Sequence, residues 1–211
     1  MNAFAPFLAP LPLIAVLRGI TPEEIPGVAG ALFEAGFRVL EVPLNSPRAL
    51  ASIALLAQRH GDTCLVGAGT VVDVGDVARV RDAGGRLVVM PHADTAVVRA
   101  AKAAGLVCAP GVATPTEAFA AIAAGADGLK MFPAEALPPA ALKAWRAVLP
   151  KEVPVFAVGG IRPETMAAYW AAGAAGFGTG SNLYRPGAAL AEVRAAAAAF
   201  AAAVCALPPR S

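Results

Sequence analysis

"RDAGGRLVVMPHADTAVVRAAKAAGLVCAP", residues 81 to 110, sets a short aliphatic run, a longer alanine-rich stretch, a glycine stop and a second aliphatic run in that order. "RLVVM" from 86 and "LVCAP" from 106 have the length and composition of buried strands, and the segment between them has helical composition. The stops "DAGG" and "KAAGL" put glycine where a helix ends and the chain turns back into a strand. This is the βα unit of a parallel sheet.

The same order recurs along the chain. Candidate strands are "LIAVL" from 13, "RVLEVPL" from 38, "CLVGAG" from 64, "GLKMF" from 128, "VPVFAV" from 153 and "AAGFGTG" from 174, which with the two above make eight. Helix-start signals stand at Thr21-Pro22-Glu23-Glu24, Ser46-Pro47, Thr114-Pro115-Thr116-Glu117 and Arg162-Pro163-Glu164. Further glycine stops close "EAGF", "AAGAD" and "WAAGAA". Eight such units predict an α/β fold, a single small (β/α)8 TIM barrel spanning 1–211 as one domain, with an open doubly wound sheet as the alternative.

Apolar residues make up 57% of the chain and charged ones 15%, a poorly charged surface that favours partial cover by a partner subunit. Lys and Arg exceed Asp and Glu by only 17 to 15, with no basic run, which argues against a nucleic-acid partner. Cys64, Cys108 and Cys205 are odd in number and lack C-x-x-C spacing, as expected of reduced thiols in a cytoplasmic protein. The apolar N-terminus has no basic segment and carries Pro6, Pro10 and Pro12, so it reads as an arm into the first strand rather than a signal peptide. "AAAAAFAAAVCAL" at 195 to 207 is thirteen residues, short of the about twenty a membrane span needs, and reads as a terminal helix packed on the domain.

Active sites of such barrels gather at the C-terminal ends of the strands. The polar residues expected there are Arg18, Glu41, Asn45, Ser46, Thr70, His92, Lys130, the pair Gly159-Gly160, and Gly180-Ser181. Lys130 is one of four lysines and sits among apolar neighbours in "DGLKMFPAE". It reads as a lysine whose stem snorkels to water or as a reactive amine. Glu41 is equally out of place in "RVLEVPL". A structural ion pair would account for both. The second and sixth strands, however, stand opposite each other across an eight-stranded barrel, leaving room for a small molecule between the two side chains. Burial there would lower the lysine's pKa and raise the glutamate's, giving an amine able to attack a carbonyl and a carboxylate able to carry protons.

"AVGGI" and "GTGSNLY" supply backbone N–H groups that can approach an anion, and phosphate sites in these barrels commonly occupy the last two loops. No βαβ unit follows Gly176, Gly178 and Gly180, which excludes a dinucleotide fingerprint. Two histidines are too few for a metal-ligand cluster; His60 reads as a cation at a helix C-terminus, and His92 as a substrate contact or a plain loop residue. No G-x-S-x-G stretch suggests a catalytic serine.

Together "LRGIT", "EVPLNSP", "GAGTV", "CAPGVATPTEA", "GLKMFPAE", "FAVGGI" and "GSNLYRPG" resemble the bacterial aldolases that cleave 2-keto-3-deoxy-6-phosphosugar acids, over about Leu13 to Gly187. The resemblance implies a class I mechanism without metal or cofactor, in which Lys130 forms a Schiff base with the keto group and Glu41 shuttles protons. It implies that Arg18 and Thr70 hold the pyruvyl carboxylate, that Pro91 and Phe132 wall the pocket, and that Gly159, Gly160, Gly180 and Ser181 receive the phosphate. It also implies a homotrimer. Asn45 stands where the gluconate-type relatives carry arginine, as in the galactonate type. The expected substrate is therefore 2-dehydro-3-deoxy-6-phosphogalactonate, with the gluconate epimer, or both, as the alternative. "FPAE" and "MPHAD" depart from the galactonate pattern. A phosphosugar isomerase or epimerase, or a non-catalytic sugar-phosphate sensor, are the competing readings, separated from an aldolase by whether Lys130 reacts.

Overall fold

The computed structural model describes residues 3–9 and 11–209. Its strands are β1 (Leu13–Val16), β2 (Val39–Pro43), β3 (Leu65–Gly69), β4 (Leu87–Val89), β5 (Val107–Ala109), β6 (Gly111–Val112), β7 (Leu129–Met131), β8 (Val155–Val158) and β9 (Gly176–Thr179). All pair in parallel, in the order β5-β4-β3-β2-β1-β9-β8-β7-β6. Each of the eight expected runs contains a strand.

One expectation needs correction. The fifth run, 106–110, holds β5, which pairs with β4, and past Pro110 the chain adds a short strand the sequence reading lacked, β6, which pairs with β7. Proline has no N–H for the ladder, but its carbonyl accepts from Lys130 N–H at 2.9 Å, so the chain itself carries the ring across the break. Eight positions remain around a closed barrel, and the open doubly wound sheet is excluded.

The helices are α1 (Ala5–Leu8), α2 (Ile25–Glu34), α3 (Ala49–His60), α4 (Val74–Asp82), α5 (Thr95–Ala103), α6 (Pro115–Ala123), α7 (Pro139–Arg146), α8 (Pro163–Ala171) and α9 (Leu190–Cys205), with a 3-10 turn at Ala134–Ala136. The five glycine stops, Gly36, Gly84, Gly105, Gly125 and Gly173, all adopt positive φ. Thr114 caps α6 with the reciprocal bond from Glu117, and α8 opens on Pro163. The other two start signals act differently. Thr21 to Glu24 forms a turn in which Glu24 accepts from Thr21 N–H at 2.9 Å, and α2 begins only at Ile25. Ser46 does not open α3; its Oγ accepts from Gly19 N–H at 2.9 Å and ties the loop after β2 to the loop after β1.

The sheet separates two cores. Aliphatic side chains such as Leu40, Val66, Val88 and Leu129 point outward and pack under the helices. Ile14, Val39, Leu65, Leu87 and Phe156 fill the barrel interior. The N-terminal arm, expected to be a plain lead-in, includes α1, and Phe4 beside it packs edge-on against Phe156 with ring centroids 5.0 Å apart. Phe4 is fully buried and closes the N-terminal end of the barrel, worth ~1.5–3 kcal/mol of apolar burial. Pro10 lies outside the described residues. Among the described residues no helix is long and apolar enough to cross a membrane.

Candidate active site

Glu41 on β2 and Lys130 on β7 occupy the second and sixth positions of the ring and face each other across its interior. They are 1% and 6% exposed and line one small cavity with Ile14, Val16, Val89, Ala109 and Phe156. They do not pair directly. Both carboxylate oxygens of Glu41 are buried without a hydrogen-bond partner, and Lys130 Nζ lies 4.4 Å above the Phe132 ring centroid. A structural ion pair is thereby excluded.

An unsatisfied buried carboxylate costs several kcal/mol if it stays charged, so its protonation state shifts instead. Burial raises the Glu41 pKa to about 7, against the opposing pull of the Lys130 and Arg18 charges. Burial lowers the Lys130 pKa, with Glu41 working against that shift and Arg18 adding to it. Burial thus favours a neutral amine, the form that attacks a carbonyl, and an acid that takes up and releases a proton near neutrality.

Gly69 makes this arrangement possible. A Cβ built there would sit 1.7 Å from Glu41 Oε2, so the carboxylate occupies the space a side chain would take. Sequence reasoning missed this position, whose signal was "GAG" on the strand beside a buried acid.

At the mouth, Arg18 spreads its guanidinium between two loops, donating from Nη1 to Asn45 Oδ1 at 2.8 Å and from Nη2 to Thr70 Oγ1 at 3.3 Å. Thr70 has φ 55°, in the left-handed region, which costs about 1–3 kcal/mol for a residue with a Cβ. Strain of this kind persists where the surroundings over-determine the conformation, here with Thr70 Oγ1 aimed at Arg18. Guanidinium and hydroxyl together form a seat for a carboxylate.

The loops after β8 and β9 lie side by side. Gly159 and Gly160 have φ of 104° and 66°, and a Cβ on Gly159 would press on Pro133 and Ala134 at 3.2–3.3 Å. After β9, Leu183 and Tyr184 N–H both bond back to the Gly180 carbonyl, turning the chain at Ser181. The N–H groups of Gly160, Ile161, Ser181 and Asn182 make no hydrogen bond within the described chain, which suits an anion cradle. Gly180 is not required by space, since its nearest neighbour would be Val16 Cβ at 3.9 Å. Against the cradle stands the carboxylate of Glu135, whose Oε2 would be 2.7 Å from a Cβ on Gly160.

Pro91, two residues past the end of β4, is half-buried with its carbonyl against Gly111, and His92 beside it is exposed. His60 departs from expectation. It ends α3 as expected, but its ring stacks on Phe33 with centroids 5.2 Å apart, and burial together with Arg59 and Arg38 lowers its pKa, which works against the expected cation. Cys64, Cys108 and Cys205 form no disulfide. Among the described residues no group of three His, Cys, Asp or Glu side chains is placed to hold a metal ion.

Comparison with known proteins points to this same chemistry. Residues 6–196 match the family described as "Aldolase: KDPG and KHG aldolase". A Rhizobium meliloti (strain 1021) protein named "Probable 2-dehydro-3-deoxy-6-phosphogalactonate aldolase" is 51% identical over 183 residues, 87% of this chain and 86% of its own. The Escherichia coli (strain K12) 2-dehydro-3-deoxy-6-phosphogalactonate aldolase is 47% identical over 190 residues, 90% of this chain and 93% of its own. A solved structure described as native KDPGal superposes with a TM-score of 0.90 at 47% identity, covering 92% of this chain and 94% of that one. KDPG aldolase from Legionella pneumophila, solved with pyruvate captured as a covalent carbinolamine intermediate, superposes with a TM-score of 0.78 at 30% identity, covering 95% of this chain and 96% of that one.

Proposed function

We propose a substrate and a division of labour for this chain, which belongs to the KDPG and KHG aldolase family and is a carbon–carbon lyase. The substrate is 2-dehydro-3-deoxy-6-phosphogalactonate and the products are pyruvate and D-glyceraldehyde 3-phosphate. The observation that carries the mechanism is the buried, unpaired opposition of Lys130 and Glu41 in one cavity.

Lys130, its pKa lowered by burial, attacks the C2 carbonyl as the free amine. A carbinolamine forms and loses water to a protonated imine. The imine draws electrons from the C3–C4 bond while a base takes the C4 hydroxyl proton, so that bond breaks to an aldehyde and an enamine of pyruvate. Glu41, with a pKa near neutrality, is suited to take that proton and return one to C3 through a water. Hydrolysis then frees pyruvate and Lys130.

Arg18 and Thr70 hold the carboxylate, Pro91 and Phe132 bound the pocket, and Gly159, Gly160, Gly180 and Ser181 receive the phosphate. The galactonate reading is supported by relatives of that name at 47% and 51% identity, and by Asn45 in the Arg18 fork. The closed ring supports a single barrel domain over 1–211. Exposed Val72, Val74 and Phe119 suit cover by partner subunits, for which a homotrimer is the assembly proposed from the family resemblance, and the three free cysteines suit a cytoplasmic location.

Incubation with pyruvate and borohydride, followed by mass spectrometry, tests the mechanism. The expected adduct is on Lys130; no adduct, or one on Lys102, Lys143 or Lys151, refutes it. The ratio of kcat/KM on the two epimeric phosphosugar acids tests the substrate, and a preference for the gluconate epimer overturns it.

A further inference from the structure

The anion cradle is assembled from two loops that the sheet does not itself hold together beyond β8 and β9. One turns on two residues without a Cβ. Gly159 and Gly160 are both left-handed, and consecutive glycines in that region have no Cβ to define the direction of their N–H groups. Ile161 anchors the end of this loop through a side chain only 3% exposed, but that burial leaves its carbonyl, and so the exit of the loop, to be held by another contact. The other loop is firmly seated. Leu183 and Tyr184 are buried, and the Tyr184 hydroxyl donates to Glu24 Oε1 at 2.9 Å, with Gly187 N–H on the same oxygen at 3.3 Å.

One side chain joins them. Asn182 Nδ2 donates to the Ile161 carbonyl at 2.9 Å, from the loop after β9 to the loop after β8. We propose that Asn182 is a positioning residue for phosphate recognition: its amide holds the Gly159–Ile161 loop so that the N–H groups of Gly160 and Ile161 converge with those of Ser181 and Asn182 on one anion. The inference rests on the reading of these loops as the phosphate seat. It assigns Asn182 no part in carbon–carbon cleavage, because Asn182 contacts neither the Lys130 cavity nor the Arg18 fork.

The test compares Asn182→Ala and Asn182→Asp with the parent enzyme in three assays: cleavage of 2-dehydro-3-deoxy-6-phosphogalactonate, cleavage of its unphosphorylated counterpart, and exchange of the C3 protons of pyruvate in deuterated water. Asn182→Ala should raise KM for the phosphorylated substrate about five- to tenfold, the scale of one lost orienting hydrogen bond, and weaken competitive inhibition by inorganic phosphate alike. Asn182→Asp should raise it further, since its carboxylate cannot donate to the carbonyl and repels the phosphate. Exchange with pyruvate should stay within about twofold in both. An unchanged KM in both variants, while the parent enzyme still prefers the phosphorylated substrate, overturns the role of Asn182 alone. An equal loss in pyruvate exchange also overturns it, by reducing Asn182 to a structural residue. If the parent enzyme shows neither that preference nor inhibition by phosphate, the phosphate seat itself falls.

Discussion

Replacing Glu41 by glutamine should trade activity for stability in a pH-dependent way. The carboxyl titrates near 4.5 when unfolded and at about 7 in the folded protein, so between those values the native state binds more protons than the unfolded state. Stability contributed by this group is therefore fully present below about pH 4.5 and is lost as pH rises through about 7. Over the whole range that difference corresponds to roughly 3 kcal/mol. Glutamine keeps the volume and an unsatisfied polar group but cannot ionise. Relative to Glu41→Gln, the parent enzyme should lose about 2.5 kcal/mol between pH 5 and pH 8, or roughly 5–10 °C in melting temperature for a chain of this length. Urea unfolding of both proteins across that range, at one protein concentration, measures it. Parallel stability curves would mean that Glu41 is not a buried titrating acid, and the proton-shuttle argument would lose its physical basis.

The remaining expectations concern the same site. The pH profile of kcat should rise through about pH 7, where Glu41 ionises and the neutral amine of Lys130 grows, and Glu41→Gln should remove that limb along with most of the rate. Gly69→Ala puts a methyl where Glu41 Oε2 now lies; displacing the carboxylate by about 1 Å should cost on the order of 100-fold in kcat while pyruvate still forms a borohydride adduct on Lys130. Thr70→Val removes the hydroxyl that holds Arg18 Nη2 and should raise KM by about five- to tenfold, with kcat less affected; an unchanged KM would remove Thr70 from the carboxylate seat. Glu135→Gln removes a charge beside Gly160 and should lower KM for the phosphorylated substrate only, an effect that shrinks with added salt.

Much of this architecture was legible in local patterns. The glycine stops at Gly36 and Gly105 and the capping box at Thr114 are written within a few residues, because helix ends are satisfied locally. The start at Ser46 failed for a tertiary reason, its Oγ being drawn to Gly19 on another loop, while Glu24 keeps its local bond to Thr21 and offers its other oxygen to Tyr184. His60 failed likewise, since Phe33 and two arginines surround it from outside its own turn.

By itself the sequence determined eight βα units and, granted that they close into a ring, the opposition of Glu41 and Lys130, since strand count sets which positions face across a barrel; closure itself, against an open sheet, came from the structure. Only the tertiary structure decided that acid and amine stay unpaired, that Gly69 makes room for the carboxylate, that Thr70 is held left-handed, and that Asn182 joins the two loops. Each depends on ångström-scale distances between residues far apart in the chain, and such distances are set by how the whole ring packs rather than by the residues on either side.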